Sequence, residues 1–276
     1  DQNTIRGVAD SNKGSSKAIF VGDSDEEIEA SVTITDNRIS NVSVDESNFA
    51  DGGAGAYGVL VNADVSDLEI SGNTIHNLSG LWAHGIGLEG PTPGANVTDN
   101  LVTNLSATKG DTSDSSAFRD EAAIFFEDNT GAQSVSLDNN TFENLAYGVL
   151  PHPDQSATST VGEIVIVDGP LQTAVDHAGE DDTILVSPGI YESGVDVSTN
   201  NITLEGPNAD TPAHERDATD LSGEAVINTP NGPGIEVSNS ANVTIDGVAF
   251  DGNEYFIEST DWENLAVEDT IFTNGQ

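Results

Sequence analysis

The chain has 276 residues, with 48 Asp and Glu against 7 Lys and Arg, a formal net charge of −41, and no Cys. These numbers exclude disulfides, thiolate catalysis and Cys-bound zinc. They also exclude nucleic acid as a partner, because no basic patch exists to neutralise phosphates, and no apolar run is long enough to predict a membrane span.

In chain order, residues 1–8 supply the end of a repeat, with Asn3, Ile5 and Val8 in the places that Asn73, Ile75 and Leu78 take later. Residues 18–21 read as a short strand and residues 23–29 as an acidic loop. Val32 opens the phrase VTITDNRISNV, which returns as LEISGNTIHNL from Leu68, NVTDNLVTNL from Asn96, VSLDNNTFENL from Val135, NVTIDGVAFDG from Asn242 and LAVEDTIFTNG from Leu265. Alternating apolar residues mark half-buried strands, and Asn tolerates the left-handed backbone of the corners between them. A second phrase, a small residue followed by apolar ones, recurs at Gly58, Gly85, Ala123, Gly148 and Gly234. About three short strands per turn predict an all-β, right-handed parallel β-helix, a solenoid. Ile34, Ile70 and Leu137 should then share one buried column.

The matched asparagines Asn3, Asn37, Asn73, Asn100 and Asn140 are 34, 36, 27 and 40 residues apart. The excess must lie in loops, with 45–56, 92–95 and 107–120 the longest candidates, and loops are where function concentrates on such scaffolds. Residues 151–162 read as a linker between a block of rungs at 1–150 and a second block at 163–276. That block begins with the one good helix, 170–179, whose Leu171, Ala174, Val175 and Ala178 form an apolar face ended by Gly179.

The run QTAVDHA, DTILVSPGIYES and NITLEGP, from Gln172 to Pro207, resembles the opening segment of the pectin-lyase-like right-handed β-helix superfamily, in the parallel β-helix repeat form found in haloarchaeal secreted surface proteins. The resemblance implies that the helix caps an open coil end. It also implies a range of functions: polysaccharide lyases, hydrolases, esterases, epimerases, phage spikes and non-enzymatic surface proteins. Here the capped opening lies mid-chain and both termini cut through a coil, so the coil ends are expected to pair with further chain or with a neighbouring copy, the second case giving filaments.

Lyases of the superfamily use Asp residues on calcium and an Arg base. Of Arg6, Arg38, Arg119 and Arg216, the triplet Arg119-Asp120-Glu121 is the best local cluster, read either as a base or substrate clamp beside carboxylates or as a neutralised surface arginine. His84 in Ala83-His84-Gly85 echoes a hydrolase GHG phrase, read either as orienting a catalytic acid or as a corner residue. His76 is expected to face solvent. GIYES at 189–193 fits a pectinesterase phrase, but that family's catalytic phrases are missing, which rejects the activity. The acidic clusters at 23–27 and 180–182 offer oxygen ligands for calcium, with no EF-hand spacing. Trp82 and Trp262 are the aromatic supply for glycan binding.

Seven Asn-x-Ser/Thr sequons occur, at Asn41, Asn77, Asn96, Asn104, Asn139, Asn201 and Asn242. They are candidate glycosylation sites and equally a by-product of the repeat. The acidic composition reads as adaptation to salt: at molar ionic strength the Debye length is ~3 Å, so the carboxylates barely repel. The expectation is an extracellular structural or adhesive protein, on the cell surface of a halophilic archaeon or on a virion, partnered by itself or by a surface glycan. A carbohydrate-active enzyme and a carbohydrate-binding module stand as alternatives.

Overall fold

The computed structural model describes residues 2–10, 14–22, 27–28, 31–44, 55–107, 121–126, 135–151, 163–167 and 169–275. The chain divides into two compact units, Asp1–Asp154 and Gln155–Gln276. Of the expected linker, only Pro151 is among the described residues, as the last residue of a strand.

In the first unit, Thr4–Asp10, Arg38–Val44, Thr74–Gly80, Leu101–Ala107 and Thr141–Glu143 stack in that order as one sheet. Ser16–Val21, Gly55–Val61, Trp82–Leu88, Glu121–Phe126 and Tyr147–Pro151 stack as a second, and Val32–Thr35, Leu68–Ser71 and Asn96–Thr98 as a third. The pairings are parallel, and neighbouring strands come from successive turns. That is a parallel β-helix, whose crossovers wind right-handed. Glu27–Ile28, expected in an acidic loop, instead pairs with Asp64–Val65.

The core follows from the repeated phrase. Ile34 pairs with Ile70 and Ile70 with Val97, all three buried. Val97 N–H donates to Ser136 O at 2.8 Å, which carries the column on to the half-buried Leu137. The matched asparagines form a ladder beside it. The Nδ2 groups of Asn3, Asn37, Asn73 and Asn100 each donate to Oδ1 of the next asparagine at 3.0–3.1 Å. Each accepting oxygen also takes the donor residue's backbone N–H at 3.0 Å. Interior amides at a turn are affordable only because donors and acceptors are met this fully.

Outer corners use Asn differently. Asn41, Asn77 and Asn104 have φ of 57°, 59° and 55°, which bends their strands at mid-length, and Asn144, just past Thr141–Glu143, has φ of 53°. The second phrase is explained by close approach: a Cβ on Gly58 would lie 2.6 Å from Gly85 O and 2.7 Å from Ile75 Cγ2, and one on Gly85 would lie 2.6 Å from Ala123 O. A backbone carbonyl cannot retreat from such a contact, so these places demand the smallest residues.

The strands of the second unit also stack in three rows. Thr183–Val186, Thr203–Glu205, Ala241–Asp246 and Glu263–Glu268 follow Glu163–Ile166 in one. Gly189–Tyr191, Ala225–Ile227, Ala249–Asp251 and Ile271–Thr273 form the next, and Val195–Val197, Pro233–Ser238 and Tyr255–Thr260 the last. Tyr191, Ile227, Phe250 and Phe272 form one row, with the Phe250 and Phe272 rings stacked 5.3 Å apart. The helix runs Leu171–His177, shorter than expected; the chain turns extended at Ala178 (φ −72°, ψ 130°), before Gly179 is reached. Leu171, Ala174 and Val175 are buried, as is Ala178 just past the helix.

Candidate functional site

The outer side of the second sheet in the first unit gathers most of the chemically distinctive side chains. A Cβ on Gly58 or Gly85 would meet Ile75 or Val102 inside the coil, whereas one on Gly87 would meet Tyr57 Cδ1 at 3.0 Å and Leu60 Cδ1 at 3.2 Å. Tyr57 and Leu60 therefore face outward. Trp82 Nε1–H donates to the Tyr57 hydroxyl, and the hydroxyl donates to Glu89 Oε1, each at 2.9 Å. Burial raises the Glu89 pKa, opposed by the Tyr57 hydrogen bond and the Lys17 charge. Lys17 also lies 5.2 Å over the Phe20 ring. Gly55–Val61 and Tyr147–Pro151 are buried at every residue, so this sheet is covered on both faces.

His84 shares a register row with Tyr57. It is not at a corner but within Trp82–Leu88, where it is only 2% exposed. Its ring stacks on Phe125 with centroids 4.1 Å apart and meets Tyr57 edge-on at 5.4 Å. Neither ring nitrogen has a hydrogen-bond partner among the described residues, and burial pushes the pKa from 6.5 down to about 3. The imidazole is thus neutral at ordinary pH and packs as an aromatic ring.

Arg119 and Asp120 lie outside the described residues. Glu121 opens a strand, and its Oε2 accepts Ala107 N–H at 3.0 Å. It shares a row with Ala83, one position before His84, so strand alternation sets it on the opposite side from His84. The structure therefore does not bring these two together. His76, expected in solvent, is half-buried with an inaccessible, unpartnered Nε2. Tyr191 of GIYES is buried, its hydroxyl donating to Ser187 O at 2.9 Å.

Residues 23–26 of the first acidic cluster are outside the described residues. In the second, Glu180 Oε1 accepts from Asn200 Nδ2 at 3.2 Å, and Asp182 Oδ2 accepts Gly179 N–H at 2.9 Å. Among the described residues no three His, Cys, Asp or Glu side chains are grouped to hold a metal ion.

Two features of the second unit escape a reading by motif. Glu205, Asp246 and Glu268 form one row across three strands. Burial raises the Glu205 and Asp246 pKa values, and so do Asp210 and the other carboxylates around them. Aligning TLE, TID and AVE of three repeat phrases reveals that row in the sequence. Arg216 is the other, with its side chain 5% exposed. Nη1 donates to Glu224 Oε2 at 2.6 Å and to Gly247 O at 3.4 Å, and Nη2 donates to Asp269 O. Gly247 and Asp269 are left-handed corners of successive rungs, so one guanidinium ties both to the segment that carries it.

The sequons track the corners. Asn41, Asn77, Asn104, Asn201 and Asn242 all have φ of 55–59°. Asn77 Nδ2 donates to Asn41 Oδ1 at 3.2 Å, and Asn242 Nδ2 to Asn201 Oδ1 at 2.8 Å. Two residues beyond each lies a strand Ser or Thr, which completes the pattern. Asn139 is also left-handed, at 59°, and Asn96 begins a strand.

A family model described as a right handed beta helix region matches residues 1–162. No curated protein and no solved structure matches the chain.

Proposed function

The chain belongs to the right-handed β-helix family, and from that premise we propose that it is an extracellular structural and adhesive protein, built for the surface of a halophile or of a virus infecting one, whose coils stack end to end. The observation that carries this reading is the union of a −41 charge with a regular solenoid. Order is maintained by interior ladders and columns, so the acidic surface is tolerable where salt screens it. Stacking would cover apolar surface of the second unit, where Tyr255, Trp262, Val267 and Phe272 are 57%, 49%, 40% and 46% exposed. Electron microscopy and sedimentation of the full chain in molar salt test it. Filaments or oligomers are expected; a strict monomer overturns the stacking, and resistance to protease on intact cells overturns the surface location.

One observation favours a second reading, a carbohydrate-active enzyme. Glycoside hydrolysis needs two carboxyl groups with separated pKa values, and Glu205 and Asp246 are neighbouring carboxyls whose pKa values are pushed up. Reducing-sugar release from uronic-acid and neutral polysaccharides, lost in Asp246→Asn, would establish it. The cluster Arg119, Asp120, Glu121 with His84 is tested beside it by Arg119→Ala, and calcium dependence by chelation.

A further inference from the structure

The first rung of the second unit has two edge strands, and the chain seals one of them. Val195–Val197 lies at the edge of its sheet, and Gln172 of the helix closes it. Asp196 N–H donates to Gln172 Oε1 at 2.7 Å, and Gln172 Nε2 donates to Asp196 O at 3.1 Å. A single side-chain amide thereby replaces the donor and acceptor of a neighbouring strand. Gly189–Tyr191 is the corresponding edge of the adjoining sheet. Gly189 N–H donates to Glu224 O and Asn228 N–H to Tyr191 O, both at 2.9 Å, so Gly189 and Tyr191 bond inward. Alternate residues of a parallel ladder bond to opposite sides, which turns the N–H and C=O of Ile190 to the edge that no strand among the described residues pairs.

The side chain of Ile190 is open as well. It is 70% exposed, whereas Val226, Ala249 and Ile271 in the same row are buried, with Ala213 and Leu221 packed against them. The covering segment stops one strand short. Cavities of about 240 and 420 Å³ flank the bare residue and share Gly189 and Ile190 in their linings. The smaller also touches Glu192 and Leu171, the larger Leu221 and Asp251.

We propose that this edge binds an extended peptide segment of a partner protein as an added strand. An apolar residue of the segment sits over Ile190 and Leu221, and basic residues lie beside Glu192 and Asp251. Backbone groups in strand geometry select an extended peptide, and alternate side-chain pockets select its pattern. The acidic rim, Glu192 and Asp251, selects the basic flanks.

The inference is independent of where the protein resides, and it is tested on the purified full chain. The probe is an acetylated and amidated Lys-Ile-Lys-Val-Lys-Ile peptide, titrated in molar salt while backbone amide exchange is followed. Saturable binding should slow exchange at Ile190 about tenfold and leave Ile235, on a strand paired on both sides, unchanged. Ile190→Glu, an exposed site where folding should be unaffected, should abolish binding, and Ile190→Val should retain it. Equal binding of the Glu-for-Lys peptide, no protection at Ile190, or an Ile190 amide that is already slow without peptide would each overturn the proposal.

Discussion

Single side chains in this molecule are decided by what lies on the next rung. His84 shows it best. The sequence offers Ala83-His84-Gly85 as a catalytic echo, yet the ring is stacked on Phe125, from a strand 37 or more residues downstream. Nothing local to His84 announces that burial, because its ring neighbours Tyr57 and Phe125 come from the strands on either side. A consequence is measurable. In the folded state the imidazole stays neutral down to about pH 3, whereas the unfolded chain takes up a proton below about 6.5. The depressed value means that stability is fully present above pH 6.5 and is lost as pH falls toward 3. Between pH 8 and pH 5 this linkage costs about 2 kcal/mol. His84→Phe keeps the stack, removes two unpartnered buried nitrogens and removes the linkage. Its unfolding free energy, from urea titration in molar salt, should therefore exceed the parent's, with a margin wider by about 2 kcal/mol at pH 5 than at pH 8. A margin independent of pH would show that His84 titrates in the fold as it does in the unfolded chain.

At the scale of elements, the repeated phrase made the coil readable. Asn3, Asn37, Asn73, Asn100 and Asn140 can be aligned by eye, and the structure bonds those same residues to one another. Legibility was good here because each short strand and its corner carry their own chemistry, apolar alternation and left-handed Asn. It failed where a contact joins distant segments. Gln172 on the edge of Val195–Val197 and Arg216 on the corners at Gly247 and Asp269 have no local pattern. The two kinds of asparagine also look alike in sequence and differ in energy. Asn73 Oδ1 accepts two hydrogen bonds, and its Nδ2 donates to Ile34 O and Asn100 Oδ1 in the interior. Asn77 mainly supplies an exposed left-handed corner. Asn73→Ala leaves buried partners unmatched on both sides and should cost about 3 kcal/mol. Asn77→Ala should cost about 1 kcal/mol, the penalty of a Cβ in that backbone region. Equal losses in urea midpoints would mean that the ladder does not hold the rungs.

For the whole molecule, the governing balance is between a fully bonded interior and a surface that repels itself. The coil stacks like upon like, so an acidic residue at one place in the phrase recurs one strand spacing away, about 4.8 Å. Glu205, Asp246 and Glu268 are such a row, with Asp210 and Asp269 adding to the field on Asp246. Carboxylates whose folded pKa is raised destabilise the fold once pH exceeds their unfolded value, and protonating or neutralising one restores stability. The row is largely solvent-accessible, so salt weakens the effect: screening reaches ~10 Å at 0.1 M and ~3 Å at 1 M. Two outcomes follow from the same cause. The melting temperature of the full chain should climb steeply between about 0.1 and about 2 M NaCl, well beyond what equiosmolal sucrose achieves, since sucrose strengthens burial without screening charge. Asp246→Asn should raise the melting temperature in dilute buffer and change it little in molar salt. An equal gain at both ionic strengths would assign the effect to local hydrogen bonding of Asp246, whose Oδ1 is unpartnered. A flat salt dependence of the parent would remove the physical basis for reading its charge as adaptation to brine.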